Sequence, residues 1–224
     1  FVPFITSVMG DSRYGVWVII FQAVSYFSIL DLGMNAAVVR FISKYLGENA
    51  FDKINRVLNT ATLFFFAIGV IAATLIYFFS ANFFGIFRVD DPALAQEGAT
   101  AMAMLGIFVG IRFILQPFAA SFAAFHRQDI FNLLNICEEI IRTFAIVLLL
   151  YNRYGLVELA QAVLVINILK QIVAVFVLKH LQREIRFSFK HIDIDTIKPL
   201  FNYSKTAFGI AVAWIVIFNS DSIL

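Results

Sequence analysis

The chain has 224 residues, of which 61% are hydrophobic and 14% charged, with 27 Phe and a mean hydropathy of +0.87. Soluble domains run at about 45–50% apolar and about 25% charged, so a soluble enzyme, a nucleic-acid-binding domain and a disordered tail are excluded. The net charge of +2 is too small to imply a nucleic-acid partner. A polytopic, all-α transmembrane protein remains, because the short alternating segments of a β-barrel are missing from the sequence. A lone Cys137 forms no internal disulfide, and no Cys/His grouping has zinc spacing, so neither a metal nor a cofactor is expected. Phe1 follows no basic, small-residue leader, and the last residues continue an apolar run, Ile215-Val216-Ile217-Phe218. The expectation is a single transmembrane domain, 1–224, cut from a longer protein.

A helix needs about 20 apolar residues to cross a bilayer, and six regions qualify. The first, 14–46, is too long for one straight crossing and contains Asp31-Leu32-Gly33. Gly weakens a helix interior and a carboxylate is expensive at membrane depth, so a break is expected at Gly33. The second, 56–80, is the most uniformly apolar. The third, 98–125, carries Arg112 and a second expected break at Pro117; the fourth, 131–151, carries Glu138, Glu139 and Arg142. The fifth, 156–178, carries Lys170. The sixth, 199–224, opens on Pro199, a natural first helical residue, and holds Lys205 and Asp221. Residues 1–9 read as the tail of a preceding span. Connections are short except 179–198, which is basic and weakly alternating through Ile185, Phe187, Phe189 and Ile192.

Lys/Arg bias sets orientation. The loops after the first, third and fifth spans carry Lys44, Lys53, Arg56, Arg127, Lys179, Arg183, Arg186, Lys190 and Lys198, against Arg13, Arg88 and Arg153 in the others. Loops 44–56, 126–130 and 179–198 are therefore expected in the cytoplasm.

Five cations fall within spans: Arg40, Arg112, Arg142, Lys170 and Lys205. Each costs about 2.5–3.5 kcal/mol at a helix centre. Arg142 stands four residues from Glu138 and three from Glu139, so it is either their structural partner or a cavity residue. Arg112 has no acid within a turn on its own helix and is expected to line a cavity. Arg40 and Lys205 are close enough to span ends to snorkel, and Lys170 is open to both readings. The acids are fewer. Asp31 could accept backbone or Arg hydrogen bonds, or bind a proton or cation, and Asp221 could do the same. Asn135 and Asn167 are among several amides expected to bond between helices. An excess of Arg over acid favours an anionic ligand, and the planar guanidinium suits phosphate. His126, His180 and His191 lie in loops and form no catalytic grouping with a nucleophile, and there is no phosphate-cradling Gly-rich loop.

Taken in order, several segments resemble one family. They are Pro3-Phe4-Ile5-Thr6, Met9-Gly10 and Tyr14-Gly15-Val16-Trp17; then Asp31-Leu32-Gly33 followed by Arg40-Phe41; then Tyr151 with Gly155-Leu156 and Leu159-Ala160-Gln161-Ala162; then Lys198-Pro199-Leu200-Phe201-Asn202-Tyr203-Ser204; and last Ser220-Asp221. The chain thereby resembles, over its whole length, the polysaccharide biosynthesis proteins, oligosaccharide-lipid flippases of the multidrug/oligosaccharidyl-lipid/polysaccharide exporter superfamily. The resemblance implies a two-bundle transporter, of which this chain is the N-terminal bundle: the end of span one plus spans two to seven.

It also implies translocation of an undecaprenyl-diphosphate-linked oligosaccharide across the cytoplasmic membrane by alternating access, without enzymatic chemistry. Arg40, Arg112, Arg142 and Lys205 become substrate-binding candidates. Asp31, Glu138, Glu139 and Asp221 become ion-coupling or gating candidates. The lipid-linked oligosaccharide and membrane lipids are the implied partners, with a glycan polymerase and other polysaccharide-assembly proteins beside them. The alternatives are a drug/cation antiporter, which would want acids more than arginines in the bundle, a lipid II flippase, and, in a different class, a membrane-embedded glycan transferase or ligase.

Overall fold

The computed structural model describes residues 2–86, 89, 91–188 and 191–220. Every regular element among them is helical: α1 (Val2–Met9), α2 (Asp11–Tyr26), a 3-10 turn (Phe27–Asp31), α3 (Met34–Gly47), α4 (Phe51–Ile86), α5 (Pro92–Ala124), α6 (Gln128–Tyr151), α7 (Leu156–Leu181) and α8 (Ile194–Ser220). The fold is an all-α transmembrane bundle. Among the described residues, α4 over Phe51–Ser80, α5 and α7 are each long and apolar enough to cross a bilayer. In α6 the charges of Glu138, Glu139 and Arg142 interrupt an otherwise apolar run. Large apolar side chains face outward, with Phe78 70% exposed and Phe144 and Phe176 each 69% exposed. In water such faces would be costly, and against hydrocarbon they are not.

The chain divides into two compact units. One contains 1–28, 67–113 and 132–173; the other contains 29–66, 114–131 and 174–224.

In the first unit, α4 and α5 cross with almost no side chain between their backbones. Gly106 and Gly110 stand four apart on one face of α5, the spacing that lets membrane helices approach closely. A Cβ on Gly69 would come within 2.6 Å of the Gly110 carbonyl oxygen, and one on Gly106 within 2.8 Å of the Ile76 side chain. The starts of α5 and α7 are each stitched by a carboxylate. Asp91 accepts from the N–H groups of Ala93 and Leu94 at 2.9 and 3.4 Å, capping α5 ahead of Pro92. Glu158 accepts from Gly155 N–H at 2.9 Å, as the third residue of a capping box does, and Glu97 of α5 accepts from Leu156 N–H at 2.6 Å. Arg13 at the start of α2 lies 3.4 Å from the other Glu97 oxygen.

In the second unit, the chain turns out of α2 through the 3-10 turn and then through two left-handed residues, Leu32 (φ 50°) and Gly33 (φ 73°), into α3. Asp31 accepts from Asn35 N–H at 3.1 Å and so caps the new helix. α3 packs on α8 at this point: a Cβ on Gly33 would meet the Ser204 carbonyl oxygen and the Phe208 nitrogen, both at 2.7 Å. α5 runs on through Pro117 to Ala124, and the Ser121 hydroxyl donates back to the Pro117 carbonyl at 2.8 Å. Neighbouring helices can resupply what a proline withholds, so a membrane helix tolerates one in its interior.

The connection after α7 is an extended strap laid on α4. Asn55 and Asn59, one helical turn apart, each bind two residues of it through their amides, as a neighbouring strand would. Asn55 Nδ2 donates to the Glu184 carbonyl at 3.0 Å and its Oδ1 accepts from Arg186 N–H at 2.9 Å. Asn59 Nδ2 donates to the Arg186 carbonyl at 2.9 Å and its Oδ1 accepts from Ser188 N–H at 3.0 Å. The period of two places Ile185 and Phe187 on the inner face, where Ile185 is buried and the Phe187 ring lies 4.8 Å from that of Phe118.

Asp193 ends the strap. Its N–H donates to Thr60 Oγ1 at 3.0 Å, its carboxylate lies 3.6 Å from Arg56, and Oδ1 accepts from Asp195 N–H at 3.0 Å. That N-cap starts α8 at Ile194, five residues before the Pro199 expected to open it, and Pro199 sits inside the helix. The cap supplies what the start of a helix requires, whereas proline at its first position is only tolerated.

Candidate functional site

Two polar pairs on neighbouring helices of the first unit form one buried group. Asn135 and Glu138 stand three residues apart on α6, and Asn167 and Lys170 three apart on α7, so each pair shares a helix face. Lys170 Nζ lies 3.0 Å from Glu138 Oε2, with the side chains 12% and 10% exposed. Asn167 Nδ2 donates to Glu138 Oε1 at 2.7 Å, and Lys170 Nζ donates to Asn135 Oδ1 at 3.1 Å. Both carboxylate oxygens are therefore satisfied and the two charges cancel locally. Glu138 is about 15 Å along α6 from its start, and Lys170 about 17 Å from the end of α7, at 1.5 Å per residue. This is too deep for either to reach an end of its helix. Loss of the Glu138 charge would release the lysine.

Lys170, Asn135 and Asn167 were not among the site candidates drawn from sequence. The readable signal was the matched i,i+3 polar pair on two consecutive spans joined by a short turn. Arg142 goes to Glu139, three residues before it, and not to Glu138. The Glu139 carboxylate is largely exposed. Arg112, on α5 of the same unit, is exposed, and among the described residues no carboxylate lies within ion-pair distance of it.

In the second unit, Arg40 of α3 lies over the Tyr203 ring of α8, 4.3 Å from its centroid. Lys205 lies 4.7 Å from the Phe201 ring, one helical turn before it. Tyr203 and Lys205 are two residues apart, about 200° around α8, so the two cations occupy different faces. Asp31 serves α3 as its cap, and close beside it the Asn35 Oδ1 is buried with no hydrogen-bond partner among the described residues. Asp221 lies outside the described residues. Among the described residues no group of His, Cys, Asp and Glu could hold a metal ion.

A family model described as polysaccharide biosynthesis protein matches residues 1–224. No curated protein and no solved structure matches the chain. The family model spans every helix described above, from the small-residue crossing of α4 and α5 to the capped break before α3. This chain of apolar spans, with a carboxylate–ammonium pair buried among them, belongs to the polysaccharide biosynthesis protein family.

Proposed function

We propose that the protein moves a polyprenyl-diphosphate-linked oligosaccharide across the cytoplasmic membrane, and does so as a transporter and not as an enzyme. The observation that carries the reading is the family match over the whole chain. The geometry adds Arg112, a guanidinium about 12 residues inside a 33-residue apolar helix with no carboxylate at hand among the described residues. Facing lipid there would cost about 2.5–3.5 kcal/mol. Facing a watered cavity, the same group would take over part of the hydration that a diphosphate loses on leaving water. Arg40, Arg142 and Lys205 are further contacts in this proposal. Asp31, Glu138, Glu139 and Asp221 are the candidates for coupling to a proton or cation gradient, and Glu138 has a built partner to release.

Orientation is part of the proposal. The basic loops 44–56, 126–130 and 179–198 all fall in the second unit, and the loops near Arg13, Arg88 and Arg153 all fall in the first. Their positive charge supports a cytoplasmic side for loops 44–56, 126–130 and 179–198, because positive loops stay on the side of synthesis. The test is deletion of the gene in its own host. Lipid-linked oligosaccharide should accumulate in the inner leaflet and surface glycan should fall, with recovery on re-expression of the parent. Arg112→Ala at matched membrane abundance should restore less than a tenth of it. Unchanged surface glycan after deletion overturns the transport reading; full recovery with Arg112→Ala removes Arg112 from the pathway.

A further inference from the structure

One face at the end of α7 changes from apolar to cationic within two turns. At 100° per residue, positions 176, 179 and 180 of α7 fall within a sector of about 100°, and Arg183 follows two residues past the end of the helix. Phe176 is 69% exposed on this face, and Lys179, His180 and Arg183 follow it, all exposed. Together with Val177 and Leu181 they line an open groove of about 650 Å³. Among the described residues none of the three basic side chains has an ion-pair partner.

Arg183 does not trail on a loose loop. Gln182 N–H donates to the Leu178 carbonyl at 2.9 Å, and Ile185 N–H to the Gln182 carbonyl at 3.1 Å. Asn55 grips the Glu184 carbonyl at 3.0 Å, and Ile185 is buried beneath the turn. The last turn of α7 thus fixes the backbone before Arg183, and the α4 clamp fixes it after.

We infer that this groove binds the headgroup of an anionic phospholipid, its phosphate between Lys179, His180 and Arg183 and an acyl chain along Phe176. The argument rests on α7 being long and apolar enough to cross a bilayer, and it is independent of what the protein transports. At the end of a membrane helix the groove meets two chemistries stacked in one direction, hydrocarbon and then negative charge. An anionic lipid presents the same two in the same order. The Asn55 amide under the strap gives the site a second property, since the backbone beside Arg183 is held in place before the lipid arrives.

The test is native mass spectrometry of the full-length protein in detergent, titrated with phosphatidylglycerol, phosphatidylcholine or inorganic phosphate. Phosphatidylglycerol should bind in preference to phosphatidylcholine and should not be displaced by millimolar phosphate. A surface cation is worth about fivefold in binding to anionic lipid, so Lys179→Gln/Arg183→Gln should weaken the tightest phosphatidylglycerol by about 25-fold. Lys44→Gln/Lys53→Gln, equal in charge and outside the groove, should leave it unchanged. If the first pair of substitutions fails to give folded protein, Arg183→Gln alone carries the test at about fivefold. Equal losses from both pairs, equal binding of phosphatidylcholine, or displacement by free phosphate would each overturn the proposal.

Discussion

Replacing Lys170 by Met isolates what the buried pair on α6 and α7 contributes. The ammonium lies 3.0 Å from the Glu138 carboxylate, with both side chains almost out of solvent contact. At an effective dielectric of about 20, that separation corresponds to about 5.5 kcal/mol of attraction, much of which offsets the desolvation of the two ions. Met fills the volume but leaves Glu138 with only the Asn167 amide, and leaves Asn135 Oδ1 without the lysine. Removing one member of a buried pair costs about 3–5 kcal/mol, because the other charge stays behind. Glu138→Gln in the same background removes that charge and should recover all but about 1 kcal/mol. Glu138→Gln should therefore gain about 2–4 kcal/mol in the Lys170→Met background, and the coupling between the two sites is that gain plus the cost of Glu138→Gln in the parent, so at least about 2–4 kcal/mol. Reversible unfolding of the purified protein in mixed micelles, followed by far-UV circular dichroism for the parent, both single variants and the double, measures it. A coupling below about 0.5 kcal/mol would show that proximity here carries no energy, and the reading of this group as an energetically coupled buried pair would fall with it.

Gly33→Ala should destabilise by about 2–4 kcal/mol, since the new Cβ meets two backbone atoms of α8 at 2.7 Å and adds the strain of a positive φ. Gly15→Ala, with nothing within 4 Å, should hold or gain stability in the same thermal-unfolding series, and equal losses at both would refute the close approach of α3 to α8. Asn55→Ala should remove hydrogen-exchange protection from the Arg186 amide, and Asn59→Ala from the Ser188 amide, each costing about 1–3 kcal/mol for two hydrogen bonds. Unchanged protection at either amide would mean that the strap is held by its apolar face alone.

The helical class was plain from long apolar runs with few charges and no alternating segments, because only helices and closed barrels satisfy the backbone in lipid and a barrel would alternate. The Asp31-Leu32-Gly33 segment was also conspicuous, as a carboxylate and a glycine inside an apolar run. What a sequence does not carry is the register between helices. Glu138 and Glu139 both stand at permitted spacing from Arg142, and nothing along α6 says that Lys170 on α7 takes one of them away. The alternation of Ile185 and Phe187 marked an extended segment, but what it lies on depends on two asparagines more than 120 residues earlier. The start of α8 was legible in a different way. Asp193 followed by Thr196 is a capping pattern, and a search that weighs caps above prolines would have begun the helix there.

The placement of the cations gives the synthesis its last step. A membrane helix keeps a charge because the fold neutralises it or because function requires it. Lys170 and Arg142 have carboxylates of α6 beside them, and those charges are accounted for by structure. Arg40 and Lys205 rest on the aromatic rings of Tyr203 and Phe201, contacts of about 0.5–1 kcal/mol at exposed sites, less than the insertion cost of either cation. Arg112 has neither kind of compensation among the described residues. Among these described cations, the uncompensated charge is therefore that of Arg112. A ligand that meets it favourably is an anion, which is the sign of a lipid-linked diphosphate and the opposite of the cationic drugs that the antiporter alternative would carry. If folding required Arg112, its loss would lower stability. On the proposed reading the side chain persists at a cost to the fold, so Arg112→Ala should lower transport and leave stability unchanged or raised.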